Sequence, residues 1–207
     1  MVPAAERAEI LALARDADDE DPETERVGCW VRPHLGMPGE AARSVLFAHT
    51  TATTITGYHP GGLPIILRTK ELLAETGLAE AWRRYRSLLN NVTGPGLLFY
   101  LRETGLRALD APADVREAQF IQLAMLAGQE RVRLRIVPAG RDPGLGGFTL
   151  LRFPEPSGPA VTVPCDTVTL ILEGQHFPVY QRQLEILDRI ALAAADSQTL
   201  IMKLIDT

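Results

Sequence analysis

The stretch 142–172, DPGLGGFTLLRFPEPSGPAVTVPCDTVTLIL, constrains the fold more than any other part of the chain. It holds three short runs typical of β-strands, 148–153, 160–163 and 167–172, which glycine and proline residues separate. A fourth run, 131–137 (RVRLRIV), alternates arginine with Val, Leu and Ile. This alternation predicts a strand with one buried face and one solvated arginine face.

Helical patterns lie on both sides of these strands. A continuous apolar run at 97–101, bounded by glycine and charge, adds a further buried strand. Pro112 marks the start of one predicted helix, 112–127, and Gly128 marks its end. The predicted helices are 38–58, 68–76, 79–90, 112–127, 177–192 and a last one that begins at Asp196 or Ser197. The order predicts an α+β fold, in which a small, mostly antiparallel sheet of about four to five strands packs with helices before and after it.

Two parts of the chain differ in composition. Residues 4–17 have a helical apolar face, and residues 16–25 carry seven acidic side chains around Pro22, which is typical of a solvated linker. We therefore expect residues 1–35 to form an N-terminal helix and an acidic linker. Residues 36–207 are expected to form a single α+β domain that binds a ligand or a partner.

Composition excludes several classes of function. The formal net charge is −5 and the pI is near 5.4, so direct binding of nucleic acid is not expected. The two cysteines, Cys29 and Cys165, are far apart, as is usual in a reducing compartment. No apolar run approaches the roughly 18 residues of a membrane-spanning helix. We expect a cytoplasmic protein that does not bind membranes.

The sequence contains no self-sufficient catalytic or metal motif. Its four histidines occur singly, without HExxH or paired cysteines, so no metal site is predicted. No serine lies in G-x-S-x-G, and Cys165 is followed by Asp166, whose charge would oppose thiolate formation. Residues 144–147 lack the ending of a phosphate-binding loop. We therefore expect no cofactor.

A set of residues follows a recognisable order and spacing along most of the chain. The set comprises Ala52, Ile55, Tyr58, Pro60, Pro64, Leu67, Thr69, Glu103, Leu106, Arg107, Gln119, Val137, Pro138 and the run 143–154. In this pattern the chain resembles the domain of uncharacterised function that follows an Xre-type helix-turn-helix in many regulators of high-GC bacteria. The resemblance implies a regulatory domain that responds to a small effector or to a protein partner.

The departures from that family pattern are informative. The helix-turn-helix itself is missing from this sequence, so promoter recognition is not expected. His49 stands where the family usually has an acidic residue, and Ile65 and Arg68 replace a glycine and a glutamine. Pro164 stands where a family strand ends in glutamate. These replacements indicate that any pocket shared by the family is altered here.

Polar and amphipathic residues within or beside apolar elements form a pocket hypothesis, because small-molecule sites combine apolar walls with a few such groups. The candidate ligand-binding residues are Trp30, His49, Tyr58, Arg68, Tyr100, Arg102 and Asp166. His49, Arg68 and the turn 164–166 should cluster if the helix 38–58 lies across the edge of the sheet. The alternative is that all of these residues are packing residues scattered over the fold.

Two classes of function remain. The first is a small-molecule-sensing or partner-binding domain, which would act as a homodimer or by pairing with a full-length regulator. The second is a cofactor-independent cyclase, isomerase or hydrolase of specialised metabolism, with its acid–base group among His49, Tyr58, Glu103 and Asp166. We predict the first class, because no set of residues requires chemistry.

Overall fold

The computed structural model of the chain describes residues 29–33, 48–73, 79–91, 93–165, 168–173 and 176–205. Its strands form one seven-stranded sheet within these residues, in the order β1-β7-β6-β5-β2-β3-β4. The strands are β1 Cys29–Pro33, β2 Thr54–His59, β3 Gly96–Arg102, β4 Val132–Val137, β5 Phe148–Arg152, β6 Ala160–Pro164 and β7 Val168–Glu173.

The described helices connect or follow these strands. They are α1 Lys70–Leu73, α2 Ala79–Asn90, α3 Glu103–Arg107, α4 Ala113–Ala127, α5 Phe177–Ile190 and α6 Ala194–Ile205, with a 3-10 turn at Ile65–Leu67. The prediction for 112–127 is confirmed, because Pro112 caps α4 and Gly128 ends it. Helix 79–90 is confirmed as α2.

The α+β class is confirmed, but the predicted sheet is wrong in size and in type. β2 pairs with β3, and β3 with β4, in parallel. The other neighbours are antiparallel, so the sheet is mixed rather than mostly antiparallel. Parallel neighbours require long crossover connections. The chain supplies these as the segment 60–95 between β2 and β3 and the segment 103–131 between β3 and β4.

The predicted helix 38–58 is also wrong over its last part. Residues 48–51 are helical, but Thr54–His59 forms β2, which lies inside the sheet between β5 and β3. β-Branched and aromatic residues fit a pleated, half-buried surface better than a helix, and this segment is TITGYH. The first part of the predicted helix, 38–47, lies outside the described residues.

β1 was not predicted, and it falls in the part assigned to the N-terminal helix and linker. It pairs antiparallel with β7, with Trp30 opposite Ile171. The predicted helix 4–17 and the acidic linker 16–25 lie outside the described residues.

Buried side chains form a core on each face of the sheet. On the first face, Ile55, Phe99 and Leu134 pack with apolar residues of α2, α4 and α6. On the second face, Tyr58, Tyr100, Phe148 and Val161 pack with Phe177 and Leu187 of α5. The sheet is therefore the middle layer between two layers of helix. None of the described helices has the length and apolarity needed to cross a membrane.

Candidate functional site

The edge at which the parallel strands end brings several polar residues together. β2 ends at His59 and β3 at Arg102, and the parallel register pairs His59 with Leu101. In sheets with parallel strands, ligands commonly bind beyond the carboxyl ends of the strands. Successive side chains of a strand point to opposite faces, so Tyr58 and His59 belong to different layers.

A histidine cluster, consisting of His49, His59 and Arg68, lies on the first face. The His59 ring packs against Phe99, with 6.0 Å between ring centroids, and its Nε2 is 3.5 Å from Oγ1 of Thr149. His49 packs against the Tyr85 ring of α2 at a centroid distance of 5.6 Å. Both ring nitrogens of His49 are buried without a hydrogen-bond partner in the structure.

Both histidines are neutral at physiological pH. Burial lowers the pKa of His49 to about 4. Burial also lowers the pKa of His59 to about 3, and the charges of His49 and Arg68 add to this effect. These charges act on His59 because the side chains of His49 and Arg68 each lie near it. A neutral imidazole offers one N–H donor and one acceptor nitrogen.

Arg68 brings a positive charge into the cluster. Its Nε donates to the carbonyl oxygen of Leu63 at 2.7 Å. No carboxylate within the described ranges forms an ion pair with it. Burial lowers the pKa of the Arg68 guanidinium, because desolvation disfavours its charged form.

The segment that carries Arg68 is held in place by α4. Gln119 is fully buried, accepts a hydrogen bond from the backbone N–H of Thr69 at 2.8 Å and donates to the carbonyl of Leu67 at 2.9 Å. Gln122 donates to the carbonyls of Leu67 and Arg68 at 3.0 and 3.3 Å. These bonds fix the backbone at Arg68 before any ligand arrives.

Close packing also fixes the loop that follows β2. A Cβ atom at Gly105 would lie 2.8 Å from the carbonyl oxygen of Pro60 and 3.1 Å from the nitrogen of Gly62. Gly62 has a φ of +151°, which is a conformation that favours glycine. The start of α3 and this loop therefore lie against each other with no room for a side chain.

A tyrosine cluster, consisting of Tyr58, Tyr100 and Arg102, lies on the second face. The Tyr100 hydroxyl donates to Asp188 of α5, and Arg102 pairs with Asp142 at 3.0 Å. The Tyr58 hydroxyl is buried and has no partner in the structure. Burial raises its pKa.

The structure thus divides the predicted site residues between two faces. His49 and Arg68 come together with His59, whereas Tyr58, Tyr100 and Arg102 lie on the opposite side of the sheet. The backbone of Trp30 lies in β1, the edge strand of the antiparallel half, and its side chain is outside the described part, as is Asp166.

Glu103 is engaged in local contacts. Its carboxylate accepts hydrogen bonds from the backbone N–H of Ala139 at 3.1 Å and from Arg107 at 2.9 Å. These two bonds lower the pKa of Glu103. It is therefore ionised at neutral pH.

The turn predicted to join the site begins at Pro164, which lies at the same edge of the sheet. A Cβ atom at Gly147 would be 3.4 Å from Pro60 and 3.7 Å from Pro164. Cys165 is exposed. Among the described residues, no three His, Cys, Asp or Glu side chains form a group that could hold a metal ion.

A separate open cleft of about 360 Å³ lies between α3, α4 and α6. Leu106, Phe120 and Leu204 line it, with Arg107 and Arg116 among its polar groups. It includes no member of either cluster, and Arg107 is already paired with Glu103.

Sequence reasoning missed His59, Thr149 and Gln119 as parts of the site. The signal for His59 was the run TTITGYH, which places a histidine at the end of a β-branched segment. Thr149 joins His59 only through the pairing of β5 with β2, where Thr149 lies opposite Gly57. A pattern within one segment does not show such a contact.

The architecture defines an α+β domain built on one mixed sheet with helices on both faces. The chain belongs to the family described as Domain of unknown function (DUF5753), whose family model matches residues 43–203. The resemblance to a domain of uncharacterised function is thereby confirmed, while its link to an Xre-type helix-turn-helix stays a prediction. A search of the curated proteins found no match.

Proposed function

We propose that the chain is a cytoplasmic small-molecule-sensing or partner-binding domain related to Xre-type transcriptional regulators, and that it binds its small molecule at the histidine cluster. One observation carries this proposal: both ring nitrogens of His49 are buried without a partner, close to His59, on which Arg68 also acts, and no carboxylate of the described residues pairs with Arg68. The proposal concerns ligand binding and does not require direct contact with nucleic acid.

The free energy of these groups supports the proposal. A buried polar atom that has lost water and gained no hydrogen bond costs roughly 1–3 kcal/mol. Two such nitrogens at His49 make this part of the fold unfavourable by that amount or more. A ligand with complementary polar groups would recover this free energy. For this reason, buried polar atoms without a hydrogen-bond partner often mark functional positions.

Binding fits this cluster better than acid–base catalysis. A general base works best when its pKa lies near the pH at which the enzyme operates. The pKa values of His49 and His59 are about 4 and 3, so both are weak bases at neutral pH. Glu103 is an ionised carboxylate that already accepts two hydrogen bonds.

A second proposal is a cofactor-independent cyclase, isomerase or hydrolase. The observation that favours it is the Tyr58 hydroxyl, which is fully buried without a partner while the charges of Arg102 and Asp142 act on it. A buried phenol of this kind is suited to donate a proton to a reacting oxygen. Turnover that is lost in Tyr58→Phe, with ligand affinity retained, would favour the enzyme over the sensor.

Native mass spectrometry of protein from its own host tests the first proposal. We expect the intact protein to carry the additional mass of a small molecule, and His49→Leu, which nearly conserves volume, to lose it. His176→Leu is the matched control, because Nε2 of His176 is likewise buried without a partner but lies at the start of α5. Retention of the same molecule by His49→Leu would show that it binds elsewhere, and the proposal would fail.

A further inference from the structure

We infer that the ligand of the histidine cluster carries an oxyanion, a phosphate or a carboxylate group, and that the terminal nitrogens of Arg68 bind it. The inference rests on the proposed function, because it names the chemistry of a ligand at that same site. It assigns to Arg68 the role of an anchor for negative charge.

The partners of Arg68 differ from those of three other half-buried arginines, Arg102, Arg131 and Arg135. Arg102 pairs with Asp142 at 3.0 Å, and Arg135 pairs with Asp188. Arg131 donates to the carbonyl oxygens of Pro95, Leu88 and Leu89. Among the described residues, the side chain of Arg68 makes one hydrogen bond, from Nε to the carbonyl of Leu63.

The geometry leaves the binding end of the guanidinium available. Nε is occupied by the carbonyl of Leu63, so Nη1 and Nη2 remain for a ligand. Two parallel N–H donors match the spacing of two oxygens of a carboxylate or a phosphate. An anion in that position would supply the charge that the described residues do not supply.

The surroundings of Arg68 are prepared for such a contact. The backbone N–H of Arg68 donates to Ile65 at 3.1 Å, and its carbonyl accepts from Gln122 at 3.3 Å. The neutral rings of His49 and His59 add N–H donors without adding charge. The cluster is therefore suited to a group with one or two negative charges and several acceptor oxygens.

Thermal unfolding of the full chain in the presence of simple anions tests the inference. The probes are inorganic phosphate and acetate, each compared with chloride at the same ionic strength and pH. We expect at least one probe to raise the Tm saturably, by about 3 °C at a tenfold excess over its Kd. A response to phosphate alone indicates a phosphorylated ligand, and a response to acetate alone indicates a carboxylic acid.

Two variants assign that response to Arg68. Arg68→Met keeps an unbranched apolar stem and removes the guanidinium charge, so we expect the anion response to disappear. Arg133→Met is the matched control, because Arg133 is an exposed arginine of β4, and its response should equal that of the intact protein. If neither anion raises the Tm of the intact protein, or if Arg68→Met responds like the control, the inference is wrong.

A third variant decides the matter if Arg68→Met does not fold. Arg68→Lys keeps the charge and loses the two-pronged donor geometry, so we expect at least a tenfold weaker affinity for the anion by titration calorimetry. An affinity equal to that of the intact protein would overturn the inference.

The failure of this inference differs from the failure of the proposed function. A neutral small molecule that binds the intact protein and Arg68→Met equally, and is lost in His49→Leu, would overturn the anion and leave the sensor proposal in place. A response to phosphate or acetate that is lost in Arg68→Met supports the anion site even when protein from the host carries no bound molecule.

Discussion

The backbone N–H of Thr69 donates to Oε1 of Gln119 at 2.8 Å, across 50 residues of sequence. The amide nitrogen of the same side chain donates to the carbonyl of Leu67. One buried side chain of α4 therefore satisfies the Thr69 N–H and the Leu67 carbonyl, which both lie in the segment that precedes α1. The segment includes Arg68. The position of the proposed anion anchor therefore depends on a residue that does not belong to the histidine cluster.

Gln119→Leu should destabilise the protein by about 2–3 kcal/mol, because it leaves the Thr69 N–H buried and unpaired. The carbonyl of Leu67 still accepts from Gln122. Urea unfolding measures the change in the free energy of unfolding. The control is Gln122→Leu, which removes a donor from the Leu67 carbonyl, still served by Gln119, and a longer bond of 3.3 Å to the Arg68 carbonyl. We therefore expect a cost of about 1 kcal/mol or less. Equal losses in both variants would contradict the special role of Gln119.

His49 makes stability depend on pH in a defined direction. Its pKa is about 4 in the folded protein and about 6.5 in the unfolded chain, so between these values the unfolded chain binds the additional proton. The stability from the neutral ring is complete above pH 6.5 and is lost as the pH falls towards 4. The slope reaches about 1.4 kcal/mol per pH unit.

The variant His49→Leu should remove the His49 contribution to the slope and leave that of His59, whose pKa burial also lowers. In the absence of ligand it should raise the free energy of unfolding at pH 7 by about 1 kcal/mol, because no polar atom is then buried unpaired at this position. Unfolding curves between pH 4.5 and 7.5 measure both effects. Arg133→Met should keep the slope of the intact protein. A slope unchanged in His49→Leu would show that other groups control the acid sensitivity.

Arg135 connects the sheet to the end of α5. Its guanidinium contacts Asp188 and donates to the carbonyls of Ala191 and Leu192 at 3.1 and 3.0 Å, and these carbonyls lie where α5 ends. Arg135→Met should cost about 2 kcal/mol, because it removes a donor from these two carbonyls and the opposite charge from Asp188, which keeps only the hydrogen bond from the Tyr100 hydroxyl among those described. Arg133 on the same strand is exposed, and Arg133→Met should change the free energy of unfolding by less than about 0.5 kcal/mol. Equal effects would indicate that the contacts to α5 add little.

Gly105→Ala should disturb the loop after β2, because the added Cβ would lie 2.8 Å from the carbonyl oxygen of Pro60. A backbone atom cannot turn aside as a flexible side chain does. We expect a loss of about 1–3 kcal/mol and weaker ligand binding. Gly140→Ala is the control, since its Cβ would meet nothing within 4 Å. Ligand affinity that survives in Gly105→Ala would show that the loop does not position the site.

Elements with a strong local pattern were predictable. α4 lies between Pro112 and Gly128, and each residue has a defined effect on a helix terminus. The strict alternation of 131–137 predicted β4, and the prediction is confirmed. The arginines of this strand were expected to form a solvated face. That part of the prediction was incomplete, because Arg135 contacts α5.

Pairing between distant segments was not predictable from local pattern. The parallel register of β2 with β3 depends on a crossover of more than thirty residues. The sequence of neither strand indicates which strand it pairs with. Because residues 38–58 were interpreted as a helix, β2 was not predicted, although the β-branched residues of TITGYH favour a strand. Because β2 was not predicted, neither the position of His59 nor the sheet edge that holds the histidine cluster could be predicted.

Tyr58 and His59 are consecutive residues that serve opposite layers of the molecule. The Tyr58 ring packs against Phe148 at 6.3 Å between centroids, and Phe148 packs against Tyr180 of α5 at 5.1 Å. The backbone between Tyr58 and His59 thus separates the histidine cluster on one face of the sheet from the tyrosine cluster on the other. A ligand that displaces the backbone at His59 would therefore act on the aromatic contacts between Tyr58, Phe148 and α5, the helix on which Val179 and Ile186 face solvent.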